Sequence, residues 1–111
     1  MGISTHILDT TRGKPAQGVA VTLERGDGEN WTVVGSGTTN ADGRVGGLCV
    51  EAPEPGRYRI RFEVSTYFEA IDVDGFYPRV DIEFLVRAGA GDHYHVPLLL
   101  NPFGYATYRG S

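Results

Sequence analysis

Apolar and polar residues alternate with period two along much of this chain. Val19, Val21 and Leu23 fall on one side and Ala20, Thr22 and Glu24 on the other, the pattern of a strand with one face in a core and one in water. Tyr58, Ile60, Phe62 and Val64 likewise oppose Arg57, Arg59, Arg61 and Glu63, and Val80, Ile82, Phe84 and Val86 oppose Asp81, Glu83 and Arg87. Further on, Tyr94, Val96, Leu98 and Leu100 make another apolar face, which puts His93 and His95 together on the opposite one. His6 is set by the same parity against Ile3, Thr5 and Ile7, on the less apolar side of its segment. The 16 glycines and 6 prolines leave segments of strand length between turns and few of helix length. Strands are expected over residues 3–8, 18–25, 30–36, 44–50, 57–64, 80–87 and 93–101, with a short eighth over 104–108. Turns are expected over 9–14, 26–29, 40–43, 53–56 and 88–92, all rich in residues that tolerate tight or left-handed backbone. Ser65 to Asp72 opens on an N-cap type of residue and predicts two helical turns. The expected class is all-β, a two-sheet sandwich of seven to eight strands with one short helix.

Length and composition narrow this picture. The 111 residues suit one domain over 1–111, with 41% hydrophobic and 22% charged residues, ordinary for a folded globular chain. A net charge of -4 disfavours a nucleic-acid partner, because phosphate binding needs clustered Lys and Arg in excess. Arg57, Arg59 and Arg61 read as a solvated strand face, since Glu63 follows them. Cys49 is the single cysteine, so neither an internal disulfide nor a cysteine-based zinc site is expected, and a reducing, cytoplasmic setting fits. No apolar stretch is long enough to span a membrane, and neither an export signal nor a peroxisomal C-terminal address is read.

The candidate chemistry centres on histidine. His-x-His on one strand face, joined by His6, makes a three-histidine zinc site conceivable, but no carboxylate partner motif accompanies it, and no metal is expected. Gly43-Arg44-Val45-Gly46-Gly47 lacks the lysine and spacing of a phosphate or dinucleotide loop and reads as a turn entering a strand. Ser4, Ser36, Ser65 and Ser111 lie in no nucleophile elbow, so covalent catalysis is disfavoured. The closing Asn101 to Ser111 is aromatic and basic where chain ends are usually small and polar: it is either a loose tail or one tucked into a pocket.

Taken together, these segments resemble the transthyretin-related proteins with 5-hydroxyisourate hydrolase activity. The resemblance runs through Ser4-Thr5-His6-Ile7-Leu8-Asp9, Gly13-Lys14-Pro15-Ala16, Thr39 to Arg44, Phe76-Tyr77-Pro78 and His93 to Leu100, and is most specific in Tyr108-Arg109-Gly110-Ser111. Asn101 and Ala106 stand where serines are common in that family. The resemblance implies two four-stranded sheets, a homotetramer built as a dimer of dimers, and sites in the channel between dimers. It implies a cyclic amidohydrolase of purine degradation that converts 5-hydroxyisourate to 2-oxo-4-hydroxy-4-carboxy-5-ureidoimidazoline without a cofactor. His6, Arg44 and His95 map onto the catalytic positions, with Tyr108 and Ser111 joining His6 and Arg44 in substrate binding; His93 does not map onto a catalytic position. Either His6 or His95 would serve as base towards water. The alternative of the same fold is a non-catalytic carrier of a thyroid-hormone-like ligand.

Overall fold

A computed structural model describes residues 2–88 and 93–110. Along these residues the order is β1 (Gly2–Ser4), β2 (Ile7–Asp9), β3 (Lys14–Pro15), β4 (Ala20–Asp27), β5 (Asn30–Thr38), β6 (Gly56–Glu63), α1 (Val64–Ala70), β7 (Val80–Val86), β8 (His93–His95), β9 (Leu98–Asn101) and β10 (Gly104–Thr107). One four-stranded sheet has the order β5-β4-β6-β7 and the other β10-β9-β2-β3, while β1 and β8 form a separate parallel pair. The predicted apolar faces meet between the sheets: Val21, Leu23, Tyr58, Ile60, Phe62, Val80 and Ile82 from the first join Ile7, Leu98 and Leu100 from the second in one core cluster. Burying each large apolar side chain there contributes about 1.5–3 kcal/mol.

The polar face of the first sheet is less solvated than expected. Arg59 Nε donates to Glu24 Oε1 at 2.8 Å, and Glu24 is only 7% exposed. The Arg57 and Arg59 guanidinium groups lie over the Trp31 ring at 4.7 and 4.2 Å, a contact that shelters both cations. The hydrogen bond from Arg59 is the main force holding the Glu24 carboxyl below its ordinary pKa, against the opposing effect of burial.

Three expectations need correction. Residues 44–50 do not form a strand: they touch the sheets only at isolated bridges, Arg44 with His6 and Cys49 with Ile3. Val45 and Leu48 are the buried members of this stretch, a spacing of three that period two cannot supply, with a turn at Gly46-Gly47 between the bridges. The expected strands over 3–8 and 93–101 are each broken in two. Pro97, which has no N–H for a ladder, interrupts the second, and there Val96 N–H donates to Ser4 O at 2.9 Å and Leu98 N–H to His6 O at 2.8 Å. The helix begins one residue before Ser65, which therefore does not cap it; Glu63 holds that position without a side-chain bond. Its other end is a Schellman closure, with Val73 N–H donating to Phe68 O at 2.9 Å and Asp72 N–H to Glu69 O at 3.1 Å. Asp72 takes φ 59° there, a left-handed position aspartate tolerates better than most residues. The turn expected over 88–92 lies, beyond Ala88, outside the described residues.

Candidate functional site

The site is built where the two broken strands run side by side. β1 and β8 pair in parallel with Gly2 opposite His93 and Ser4 opposite His95, so the Ser4 side chain stands beside both imidazoles. Its Oγ lies 3.0 Å from His93 Nε2 and 2.8 Å from His95 Nδ1, and the two rings are nearly parallel, 6.5 Å apart at an interplanar angle of 15°. Two residues on, His6 lies outside β1 and β2 and bridges Arg44 instead.

Arg44 is delivered by a turn that its own neighbours close. The Asn40 side-chain oxygen accepts from Asp42 N–H at 2.9 Å and from Arg44 N–H at 3.1 Å, an Asx-type turn. Gly43 precedes Arg44 with φ 73°, and a Cβ there would stand 2.4 Å from the Ile7 carbonyl oxygen. Only glycine brings this turn so close to β2.

His95 is half-buried, and its pKa is lowered from the ordinary imidazole value. Burial is the largest cause, followed by the positive charge of Arg44 and by His6 and His93. Both influences disfavour an imidazolium, so His95 is held neutral with a basic nitrogen. The end of the chain closes over it. Gly110 N–H donates to His95 O at 2.8 Å, and Gly110 lies so near the ring that a Cβ would come within 2.6 Å of His95 Cδ2. Arg109 is anchored over the Tyr94 ring at 4.6 Å, so the tail is docked rather than loose through Gly110.

The structure thus gathers His6, Arg44 and His95, predicted from three distant stretches. Tyr108 is not seen in contact with them: it lines a cleft of about 240 Å³ with Leu85, Tyr94 and Thr107 and is 57% exposed. Ser111 falls outside the described residues. Sequence reasoning missed Ser4, which it weighs only as a nucleophile although its parity with His6 places both on one face; Gly110 belongs to the terminal tetrapeptide that the resemblance already places at the site. Among the described residues, no group of three or more His, Cys, Asp or Glu side chains is arranged to hold a metal ion.

A sandwich of this topology with a histidine-arginine site under its own C-terminus defines a class, and comparison with known proteins gives it a family. Residues 3–110 match the model of the HIUase/Transthyretin family, and the chain belongs to that family. A 5-hydroxyisourate hydrolase of Salmonella dublin is 47% identical over 110 residues, covering 98% of this chain and 80% of the relative. The structure of Klebsiella pneumoniae 5-hydroxyisourate hydrolase is 38% identical with a TM-score of 0.85 and covers all of both chains, 100% of each. Sea bream transthyretin in complex with thyroxine superposes with a TM-score of 0.90 at 29% identity, over 97% of this chain and 93% of that one.

Proposed function

We propose that this protein hydrolyses 5-hydroxyisourate to 2-oxo-4-hydroxy-4-carboxy-5-ureidoimidazoline in urate degradation, using histidine-activated water and no cofactor. One observation carries the reading: a half-buried imidazole with a lowered pKa, His95, beside Arg44 and His6 and covered by Gly110. Opening a cyclic acyl-nitrogen bond requires a base for water and a cation for the oxyanion. His95 or His6 takes the water proton, the other histidine orients water or protonates the leaving nitrogen, and the forked donors of Arg44 bind the oxyanion or a ring carbonyl. In the assembled protein Tyr108, which faces a separate cleft in the single chain, joins Ser111 in positioning the flat substrate by hydrogen bonds.

The reading includes a homotetramer, a dimer of dimers with its sites between dimers. Among the described residues β7 and β10 are outer strands of their sheets, each with one unpaired edge, and Leu85 on β7 is 54% exposed, features that suit strand-edge association of copies. Arg44 is exposed in the single chain, as expected of a wall completed by another protomer. The free thiol of Cys49 accords with the cytoplasm, and no described helix is long and apolar enough to cross a membrane.

The carrier reading has weaker support, because a wall of histidine and arginine suits a polar heterocycle better than an apolar hormone. The test is to generate 5-hydroxyisourate from urate and follow its loss with and without protein, spontaneous decay being the control. His95→Asn should lower kcat by about a hundredfold or more with an unchanged circular dichroism spectrum. No acceleration by the parent protein, together with tight binding of thyroxine, would replace the enzyme with a carrier.

A further inference from the structure

Ser4 has one hydroxyl proton and two imidazole nitrogens within hydrogen-bonding reach, His93 Nε2 at 3.0 Å and His95 Nδ1 at 2.8 Å. It can donate to only one of them, so the other must carry a proton and donate to Oγ. Whenever the Ser4 proton is spent on one of the two imidazoles, their tautomers are therefore linked; only if both imidazoles donate to Oγ does that proton turn away from them. In one arrangement His95 Nδ1–H donates to Ser4 Oγ and Ser4 O–H donates to His93 Nε2, which leaves a lone pair on His95 Nε2. In the other, His93 Nε2–H donates to Ser4 Oγ and Ser4 O–H donates to His95 Nδ1, which leaves His95 Nε2 as a donor.

We propose that Ser4 and His93 form a proton relay that sets the tautomer of His95, making its Nε2 the base towards water, and that carries the abstracted proton out to solvent. The proposal rests on the hydrolytic reading above and deepens it by assigning the base. Protons balance at every step. His95 Nε2 takes one proton from water as the hydroxide adds to the carbonyl carbon. His95 Nδ1 then passes its proton to Ser4 Oγ while the Ser4 hydroxyl proton moves to His93 Nε2. His93 is now doubly protonated and releases its Nδ1 proton to solvent, and His95 is neutral again with Nε2–H ready to protonate the leaving nitrogen. One proton enters the chain and one leaves it, and the second arrangement of the hydrogen bonds has replaced the first. Donating the Nε2 proton and regaining one at His93 restores the start.

The burial gradient runs the right way for this path. His95 and Ser4 are half-buried and His93 is exposed, so the overall transfer moves charge towards water, where it costs less. The parallel register that puts Ser4 opposite His95 and Gly2 opposite His93 fixes the geometry with backbone rather than flexible side chains. Arg44 and His6 both oppose charge on His95, a push in the same direction. Ser4 and His93 are positioning residues in this scheme, since neither meets the reacting atoms.

The experiment uses the full chain labelled with 15N at histidine, and long-range proton-nitrogen spectra recorded where the imidazoles are neutral. The expected result is His95 as the Nδ1–H tautomer, turning to Nε2–H in Ser4→Ala, whereas Ser4→Thr keeps the parent tautomer. With 5-hydroxyisourate as substrate, Ser4→Ala should lose at least about tenfold in kcat with KM nearly unchanged. His93→Ala should lose as much and regain turnover when free imidazole is added, because an exposed relay member can be replaced from solution. His95 found as Nε2–H in the parent protein, an unchanged tautomer in Ser4→Ala, or parent-like kcat in His93→Ala would overturn the relay. If Ser4→Ala fails to fold, Ser4→Thr and His93→Ala still decide it. A parent protein inert towards 5-hydroxyisourate but showing the tautomer switch would sink the reaction and leave the linked hydrogen bonds standing.

Discussion

Replacing Gly110 by alanine should separate activity from stability. An added Cβ would sit 2.6 Å from His95 Cδ2 and 3.2 Å from its Cβ and Cγ, whereas carbon atoms pack at about 3.5–4.0 Å. Relieving the overlap takes a shift of about 1 Å, which the protein can make in two ways. The tail can lift, giving up the bond from Gly110 N–H to His95 O at 2.8 Å. Alternatively the ring can turn, giving up its contact with Ser4 Oγ at 2.8 Å. Either costs one net hydrogen bond, about 1 kcal/mol, against a total stability of about 5–15 kcal/mol for a domain. The melting temperature should therefore fall by no more than about 4–8 °C. Catalysis is less forgiving, since a misplacement of about 1 Å at the reacting groups costs on the order of a hundredfold. The assay is loss of 5-hydroxyisourate beside a thermal melt, with Gly104→Ala as control: its nearest neighbours, the Asn101 side-chain nitrogen and oxygen, lie at 3.7 and 3.8 Å, an ordinary contact. If Gly110→Ala keeps kcat/KM within about twofold of the parent, the docking of the tail on His95 has no part in the mechanism.

Deleting residues 108–111 should leave the far-ultraviolet spectrum of the sandwich intact and remove most turnover; an unchanged kcat would exclude the tail from catalysis. The pKa of His95 is lowered by burial first and by Arg44 next, so the active neutral form should persist below the ordinary imidazole range and activity should fall only as pH drops through the lowered value. Arg44→Gln removes the second cause and should move that acid limb to higher pH, apart from any loss of kcat; a limb that stays put would deny the coupling. The same shift affects stability. As pH falls from the ordinary imidazole value towards the lowered one, the unfolded chain binds a proton before the folded one, so this contribution to stability is present above that window and lost within it. Tyr67→Phe deletes the donor at 2.6 Å from Asp9 Oδ2, on a carboxylate only 1% exposed. It should lower unfolding free energy in urea by about 1–3 kcal/mol without changing kcat.

How much of this was legible in the sequence depended on the range of the interaction involved. Period-two faces are local and repetitive, and Val21, Leu23, Ile60, Phe62, Leu98 and Leu100 are buried as parity required. Residues 44–50 misled because strand length between turns is only half a strand's definition: a strand also needs a neighbour along its length, and among the described residues this segment bridges one only at Arg44 and Cys49. The ten described strand segments exceed the seven to eight expected largely because the pairings of β1 with β8 and β2 with β9 are interrupted between Ser4 and Ile7, where His6 bridges Arg44 instead. Resemblance supplied the identity of the three site residues. It could not supply Ser4, whose hydroxyl reaches two histidines 89 and 91 positions away; that depends on parallel pairing of chain ends, a contact no window along the sequence contains. The same break in the strands that spoiled the prediction of regular structure is what frees His6 for Arg44 while keeping Ser4 in register with His95. Irregular backbone of this kind gives up ladder hydrogen bonds worth roughly 0.5–1.5 kcal/mol each, and it does so here beside the arginine turn and the tail docked through Gly110. A local pattern that fails where distant segments meet is what a functional site imposed on a regular fold should produce.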